Sequence, residues 1–281
     1  MDKNKDKIII KKIVAIIIAV PIASYCLLSI LFMLYAFLNP FKSKTEFFNN
    51  LLGLPQKWSL ENLKDAWQQG KFYLYYLNSI IVTIGATVSM VFFSCITAYG
   101  LARYKFKQAK FLYIVFTSGL MFPTVLLIVP LYLIARHLNL TDNLQGLVVV
   151  FSATNLAFGV FVLTGFFKTL PSEVHEAAKI DGAGEFKIFY GIMMPMAKPA
   201  IATLSTIISI SVWNEYFVTL IFIQSNSKRT IPLALANFFA EFKSSWPVLF
   251  AALLITTLPI IIVYFIGSKQ IIRGLTAGAI K

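Results

Sequence analysis

The sequence has little charge and few of the side chains that carry out chemistry. Only 13% of its 281 residues are Asp, Glu, Lys or Arg, and it contains two cysteines and two histidines. Cys26 and Cys95 both fall inside long apolar runs, so they offer no external disulfide framework, and no Cys and His residues have metal-site spacing. A phosphate-binding GxxxxGK[ST] loop is also missing. These absences argue against a separate catalytic domain, a metal centre and an ATP site on this chain.

Long apolar runs dominate what is present. Hydrophobic residues make up 58% of the chain, and they come in runs of about 20 residues or more, the length that crosses roughly 30 Å of hydrocarbon. The sequence therefore predicts an all-α, polytopic membrane helical bundle with six transmembrane helices. The predicted spans cover about 13–38, 72–102, 111–135, 144–167, 200–223 and 248–267.

The polar, basic start of the chain, residues 1–12, could also begin a signal peptide. The apolar run that follows is about 26 residues long, which is too long for a signal core, and no small-residue cleavage site closes it. We therefore expect this run to remain as the first span, with Pro21 kinking it near its entry.

The basic residues predict the orientation of the bundle. With both chain ends inside, 16 of the 25 Lys and Arg residues fall in predicted cytoplasmic segments and nine in outer segments, which is the bias of multi-pass membrane proteins. The basic excess then reflects topology and gives no reason to expect nucleic acid. The N-terminal lysines are expected to face membrane lipid.

Local composition refines this map. The second span is rich in small residues, which predicts a place inside the bundle. The third span holds Pro123 and Pro130, so we expect it to be bent or locally unwound. In the first outer segment, Ser59 is expected to cap a short helix that Gly70 ends.

The polar stretch 171–199 is the longest ordered segment predicted on the cytoplasmic side. Pro171 can begin a helix there. Glu173 and Glu176 would then lie in its early turns, where the helix dipole favours negative charge, and Gly182 can end it in a left-handed conformation. Its small side chains and flanking acids indicate a docking surface rather than a catalytic one.

A second, amphipathic helix is predicted to begin near Gly184 and to be stopped by Pro195 and Pro199. Its apolar stripe is predicted to contain Phe186, Phe189, Ile192 and Met193.

Glu215 is the only carboxylate inside a predicted span. A charge near the bilayer centre costs about 2.5–3.5 kcal/mol, so we expect Glu215 to face the bundle interior or a water-filled path. Its neighbours Trp213, Asn214 and Tyr216 carry groups that stack on or hydrogen-bond a sugar, although four consecutive helical residues cannot all face one cavity. The sequence leaves open whether Glu215 lines the path or only braces two helices.

Other polar residues in the spans are also candidates for the solute path, although helix-to-helix hydrogen bonding is their more common role. They are Asn78 and Asn155, followed by Ser79, Thr124 and Thr164.

The stretch EAAKIDGAGEFKIFYGIMMP resembles the EAA motif of ABC importer permeases, in the form seen in the carbohydrate permeases of the maltose (MalG-like) group. Glu176, Ala177, Ala178, Gly182, Ile192 and Pro195 stand at the spacing of the motif. Met194 stands where the family usually has Leu. Further stretches that look like this family are 99–106, WNEY at 213–216, TIPLAL at 230–235 and GLTAGAIK at 274–281.

The resemblance implies a MetI-like fold and a permease that moves a sugar into a bacterial cell by alternating access, as a multi-pass protein of the plasma membrane. Implied partners are a second, homologous permease, two ABC ATPase subunits that use ATP and Mg²⁺, and an extracellular solute-binding protein. No cofactor is implied for this chain itself. The residues implied to couple to the ATPases are Glu176, Ala177, Ala178, Asp181, Gly182 and Ala183, and the tail 274–281 is implied to reach towards the same subunits.

Three alternatives remain open at this stage. The first is an ABC permease for a non-sugar solute such as glycerol phosphate or a polyamine. The second is a stand-alone secondary carrier, which should show inverted repeats and more intramembrane charge. The third is a membrane-embedded enzyme, which would need paired acids, a histidine cluster or a metal set where this sequence has one lone Glu.

Overall fold

The structure is a computed structural model that describes residues 3–241 and 245–279, with side chains described for 11–240 and 245–268. The described residues form helices and connecting turns, without a strand. The chain divides into two compact units, the first made of Met1–Gly70 and Phe238–Ile255 and the second of Lys71–Asn237 and Thr256–Lys281. Lys243 and the last two residues of the tail, which the sequence places outside and inside the cell, lie outside the described residues.

The α-helices are numbered in chain order. They are α1 Lys3–Leu38, α2 Lys44–Asn49, α3 Glu61–Gln69, α4 Phe72–Arg103, α5 Ala109–Ser118, α6 Thr124–His137, α7 Leu144–Thr169, α8 Ser172–Ile180, α9 Glu185–Ile188, α10 Met194–Met196, α11 Lys198–Trp213, α12 Phe217–Phe222, α13 Ile231–Glu241 and α14 Trp246–Ala279. Short 3₁₀ turns cover Asn39–Phe41, Gly119–Met121 and Asn226–Lys228, and a π-helical turn covers Phe189–Met193.

Among the described residues, four stretches are long and apolar enough to cross a membrane. They are Lys11–Phe41, Phe72–Arg103, Leu144–Thr169 and Trp246–Ser268. Two bent pairs of helices bring the number of candidate spans to six if each pair crosses once. These pairs are Ala109–Met121 with Thr124–His137, bent by 107°, and Glu185–Met196 with Lys198–Trp213, bent by 72°.

The first of these bends lies where the sequence predicts a bent or unwound third span. Phe122 is extended, with φ −98° and ψ 115°, because the ring of the following proline excludes the helical conformation. Pro123 itself precedes the first residue of α6. Pro130 lies inside α6, so the break occurs at only one of the two prolines.

The predicted continuous fifth span, 200–223, is wrong in its second half. Helix α11 ends at Trp213, and α12 begins only at Phe217. No proline or glycine causes this break. Instead, the side-chain amide of Asn214 donates to the carbonyl of Ile210 at 2.8 Å, which competes with the backbone ladder, and the carboxylate of Glu215 accepts from the N–H of Val218 at 2.9 Å.

The connecting segment between α7 and α11 also differs in detail from the prediction. Pro171 precedes the first helical residue of α8 rather than beginning the helix. The expected apolar stripe of the second helix is wrong at Phe186, whose side chain is 79% exposed, whereas Ile188 is fully buried. Pro195 does not stop the helix, because α10 continues to Met196. A proline cannot donate to the preceding turn, and the π-helical turn lies directly before it.

The centre of the second unit is the packing of α4 against α7. The two helices approach closely at Gly159, where an added Cβ would lie 2.1 Å from the hydroxyl of Ser94, as expected for a small residue at a helix interface. Helix α11 joins the same core through a 3.2 Å contact between the hydroxyls of Thr87 and Ser209.

Polar contacts mark the two ends of this unit. At one end, the turn before α7 and the residues after α12 are tied together by Asp142, whose carboxylate accepts from the N–H and the hydroxyl of Ser225 and from Lys228. At the other end, Arg103 at the end of α4 donates to the carbonyl of Leu170 after α7 at 2.8 Å. Helices α4 and α7 therefore run in the same direction, which is the arrangement that alternating membrane crossings require.

In the first unit, the segment after α1 folds around a buried lysine. Lys42 is 1% exposed, and its amine donates to the carbonyls of Asn50 and Leu51 at 2.9 and 3.2 Å. Because burial disfavours the charged amine, the pKa of Lys42 is lowered from its usual value. The expected cap of α3 is wrong by one residue, because Leu60 precedes the helix and the Ser59 hydroxyl accepts from the N–H of Glu61.

Candidate functional site

Helix α8 and the turn after it, residues 172–184, form a mostly exposed surface of the second unit, which we call the docking surface. Gly182 ends the helical segment with φ +77°, as the sequence predicts, and its N–H donates to the carbonyl of Lys179. No atom lies within 4 Å of the position that a Cβ on Gly182 would take. The turn is therefore open as well as sharply bent.

The structure places four of the six residues assigned to ATPase coupling at this surface. Glu176, Ala177, Asp181 and Gly182 are exposed, whereas Ala178 is only 7% exposed and belongs to the hydrophobic core. Ala183 is half-buried and packs against the same core. Ala178 and Ala183 therefore hold the segment against the hydrophobic core, and they cannot both enter a cleft on a partner protein.

Two large apolar side chains flank this polar surface. Ile180 is 86% exposed and Phe186 is 79% exposed. A short exposed helix with apolar side chains at its edge has the composition of a docking surface.

Beneath this surface, four polar side chains contact the carboxylate of Glu185, the first residue of α9. Its Oε1 lies 2.6 Å from Nζ of Lys179. Its Oε2 accepts from the hydroxyl of Tyr104 at 2.5 Å and lies 3.4 Å from both Nε2 of His175 and the hydroxyl of Tyr99. Lys179 and Tyr104 both donate to this carboxylate, and the ammonium of Lys179 favours its ionised form.

A cavity of about 270 Å³ lies at the middle of the unit, between α6, α7 and the break after α11. Four of the nine candidates for the solute path border it, namely Thr124, Asn155, Asn214 and Glu215. Thr154 and Ser211 add two more hydroxyls that sequence reasoning missed. The break before α6 and the break between α11 and α12 therefore both border this cavity, which is where irregular backbone is tolerated at membrane depth.

The amides around this cavity keep part of their hydrogen-bonding capacity free. The Nδ2 atoms of Asn155 and Asn214 each donate to the carbonyl four residues earlier, at 2.8 Å. The acceptor oxygens of both amides have no hydrogen bond within the described residues, and one oxygen of Glu215 is left after the other has capped α12. These groups can accept hydrogen bonds from a polyhydroxy solute.

The remaining path candidates are placed elsewhere. The amide of Asn78 donates to the carbonyls of Ser227 and Arg229 at 2.8 and 2.9 Å, and the hydroxyl of Ser79 accepts from the N–H of Ile231. These two residues brace the turn before α13, away from the cavity. Thr164 is buried, and its hydroxyl has no partner within the described residues.

The two aromatic residues of the WNEY stretch do not border the central cavity either. Trp213 lies against Tyr76, with ring centroids 5.9 Å apart, beside a separate and mainly apolar cavity of about 440 Å³. Tyr216 packs edge-on against Phe217 at 5.4 Å. The structure thus divides WNEY, with its two polar residues at one cavity and Trp213 at another.

The part of the chain whose side chains are described contains no group of three metal-ligating side chains. The second unit combines an exposed short helix, α8, with a polar cavity between its packed helices.

Comparisons with known proteins identify a family that this chain matches and relatives that it resembles. Residues 90–276 match the family described as binding-protein-dependent transport system inner membrane component. The diacetylchitobiose uptake system permease protein NgcG of Streptomyces coelicolor is 32% identical over 251 residues, which cover 89% of this chain and 83% of that protein. The melibiose/raffinose/stachyose import permease protein MelC of Bacillus subtilis is 31% identical over 228 residues, which cover 81% of this chain and 83% of that protein.

A solved structure has the same fold. It is the crystal structure of a bacterial ABC transporter involved in the import of the acidic polysaccharide alginate. One of its chains superposes with a TM-score of 0.81 at 23% sequence identity, covering 92% of this chain and 96% of that chain.

Proposed function

This chain belongs to the family of binding-protein-dependent transport system inner membrane components, and we propose that it is the permease subunit of an ATP-driven importer for a sugar. The family places the chain in the bacterial plasma membrane as a multi-pass transport subunit. It works with a solute-binding protein and with an ATPase, which supplies the energy.

The observation that carries the sugar assignment is the similarity to two permeases named for oligosaccharide uptake, aligned over more than four-fifths of this chain. The central cavity supports the same substrate class. Its polar lining consists of hydroxyls, amides and one carboxylate, which are groups that hydrogen-bond sugar hydroxyls.

We further propose that the chain lies with both termini and α8 in the cytoplasm, as the distribution of basic residues favours. It pairs there with a second, homologous permease and with two ATPase subunits, which bind ATP and Mg²⁺. When the ATPases close, one of them pushes on Glu176, Ala177, Asp181 and Gly182. The push rotates the packed helices, and the cavity alternates between outward and inward access.

A cationic solute such as a polyamine is the second candidate. Glu215 borders the cavity and leaves one carboxylate oxygen free for an ammonium group. A phosphate ester fits less well, because the lining contains no Lys or Arg that would offset its charge.

The experiment that tests the proposal is uptake by proteoliposomes that contain this chain together with its cognate second permease, ATPases and binding protein. Labelled oligosaccharides, spermidine and glycerol phosphate are offered in parallel, with and without enclosed ATP. We expect ATP-dependent uptake of a sugar. Uptake of spermidine alone would replace the sugar assignment, and uptake of any solute without ATP would contradict the proposed energy source.

A further inference from the structure

The contacts of Glu185 join parts of the second unit that are far apart in sequence. His175 and Lys179 lie one turn apart on α8, and they meet Glu185 from α9. Two hydroxyls from the end of α4 complete the set. That of Tyr104, the residue directly after the helix, lies 2.5 Å from Oε2 of Glu185, and that of Tyr99 lies 3.4 Å from the same oxygen. Helix α8 is thereby connected sideways to the end of α4, in addition to its chain connections to α7 and α9.

Those chain connections alone hold the direction of α8 weakly. Two extended residues, Leu170 and Pro171, precede the helix. After the helix, the turn to α9 contains Gly182 and Gly184, neither of which has any atom near its Cβ position. Ala178 is the one buried residue of α8, with Val174 and His175 half-buried beside it, so the packing of this short helix against the core is limited.

The individual contacts differ in what they can contribute. The side chains of Lys179 and Glu185 are 49% and 41% exposed, and an ion pair this accessible stabilises a fold only slightly. It also stays within the segment 172–185. The hydrogen bond of Glu185 with Tyr104 is also charge-assisted and Tyr104 is 39% exposed, but this contact differs in that it joins α9 to the residue directly after α4.

We propose that Glu185 is a positioning residue that fixes the direction of α8 relative to α4, so that a push on the docking surface reaches α4 directly. Since α4 packs against α7 along its length and also contacts α11, the push then moves the three core helices together rather than bending the segment between α7 and α11. This inference rests on the proposed function, and it adds a route for the push that the chain connectivity does not contain.

Two substitutions test this role in the complete importer. Glu185→Gln keeps the size and one acceptor oxygen but removes the charge, and Tyr104→Phe removes a single hydroxyl. Their matched controls are Glu61→Gln, on the exposed face of α3, and Tyr73→Phe, an exposed tyrosine at the start of α4. The readout is the number of ATP molecules hydrolysed per solute molecule taken up by proteoliposomes.

We expect both variants to assemble and to hydrolyse ATP in response to the loaded binding protein, but to consume on the order of fivefold more ATP per solute. The controls should keep the wild-type ratio. A wild-type ratio in both Glu185→Gln and Tyr104→Phe would overturn the proposal. If Glu185→Gln fails to assemble, the ratio of Tyr104→Phe decides alone.

A distance measurement separates positioning from a general effect on stability. Spin labels on Glu173→Cys in α8 and Lys105→Cys after α4 report the direction of the docking helix by pulsed electron resonance. We expect a narrow distance distribution in the parent complex and a broadened one when Glu185→Gln is added. An unchanged distribution, even with a lower unfolding temperature, would count against positioning.

A third variant distinguishes failure of this inference from failure of the proposed function. Gly182→Arg places a long charged side chain on the exposed docking surface and should abolish uptake if that surface couples to the ATPase. Normal uptake by Gly182→Arg would refute coupling at α8 altogether. Loss of uptake in Gly182→Arg, combined with a wild-type ATP ratio in Glu185→Gln and Tyr104→Phe, would refute only the role of Glu185.

Discussion

The carboxylate of Glu215 accepts a hydrogen bond from the backbone N–H of Val218 at 2.9 Å and at the same time borders the central cavity. One oxygen thus caps α12, and the other remains available at the cavity. The sequence leaves two roles open for this residue, path-lining and bracing, and the geometry is compatible with both. The two roles predict different consequences for two substitutions.

Glu215→Gln retains an oxygen that can cap α12 but removes the charge from the cavity. We expect its unfolding temperature to stay close to that of the wild type, while the KM for uptake rises on the order of tenfold. Glu215→Ala should show the same transport defect and lose about 1 kcal/mol of stability as well, because the cap is gone. Unchanged uptake kinetics in Glu215→Gln would reduce this residue to a brace.

Asn155 offers a test of the cavity with a matched control. Asn155→Leu removes a free acceptor oxygen from the lining, and we expect uptake to fall about tenfold at low solute concentration. Asn237→Leu is the control, because the amide of Asn237 makes the same bond to the carbonyl four residues earlier, at 2.9 Å, on the separate helix α13. Equal losses in the two variants would show that removal of the local bond, and not the cavity, matters.

Asn78 should behave as a brace. Asn78→Leu leaves the carbonyls of Ser227 and Arg229 without their shared donor, which costs about 1–3 kcal/mol when such groups are buried. We expect a lower unfolding temperature in detergent, with an unchanged KM in the protein that remains folded. A shift in the preference between two sugars would instead return Asn78 to the solute path.

Some of these structural features can be predicted from the sequence and others cannot. Long apolar runs locate the helices, and the break at Pro123 and the left-handed Gly182 follow from local backbone chemistry. The break at 214–216 has no such signal, because it depends on side chains that cap the two helix ends. The meeting of Glu185 with Tyr104 cannot be read locally either, since the two residues are brought together only by the packing of α4 against the docking segment.

At the end of the second unit away from α8, the contacts of Asp142 lead us to expect that the stability of the protein depends on pH. Hydrogen bonds from the hydroxyl and N–H of Ser225 hold the pKa of Asp142 below its ordinary value of 3.8. A depressed folded-state pKa contributes stability that is present above the unfolded-state value and is lost as the pH falls through the folded-state value. We therefore expect Asp142→Asn to be less stable than the wild type at pH 7, and the difference to narrow as the pH falls below 3.8.

Unfolding of the two proteins across this pH range is the measurement. Asn is the suitable replacement because residue 142 has φ +48°, a conformation that Asn tolerates better than Ala. If the difference in stability between the two proteins stays constant below pH 4, the contribution of Asp142 does not depend on its ionised carboxylate.

The most direct test of the whole account is ATP-dependent solute uptake by the complete importer carrying Glu176→Lys. Glu176 is exposed on the docking surface, so reversal of its charge should leave the chain folded but disrupt the contact with the ATPase. The matched control is Glu61→Lys, on the exposed face of α3. The account predicts that Glu176→Lys abolishes uptake while the Glu61→Lys control transports normally. Normal uptake by Glu176→Lys would contradict it.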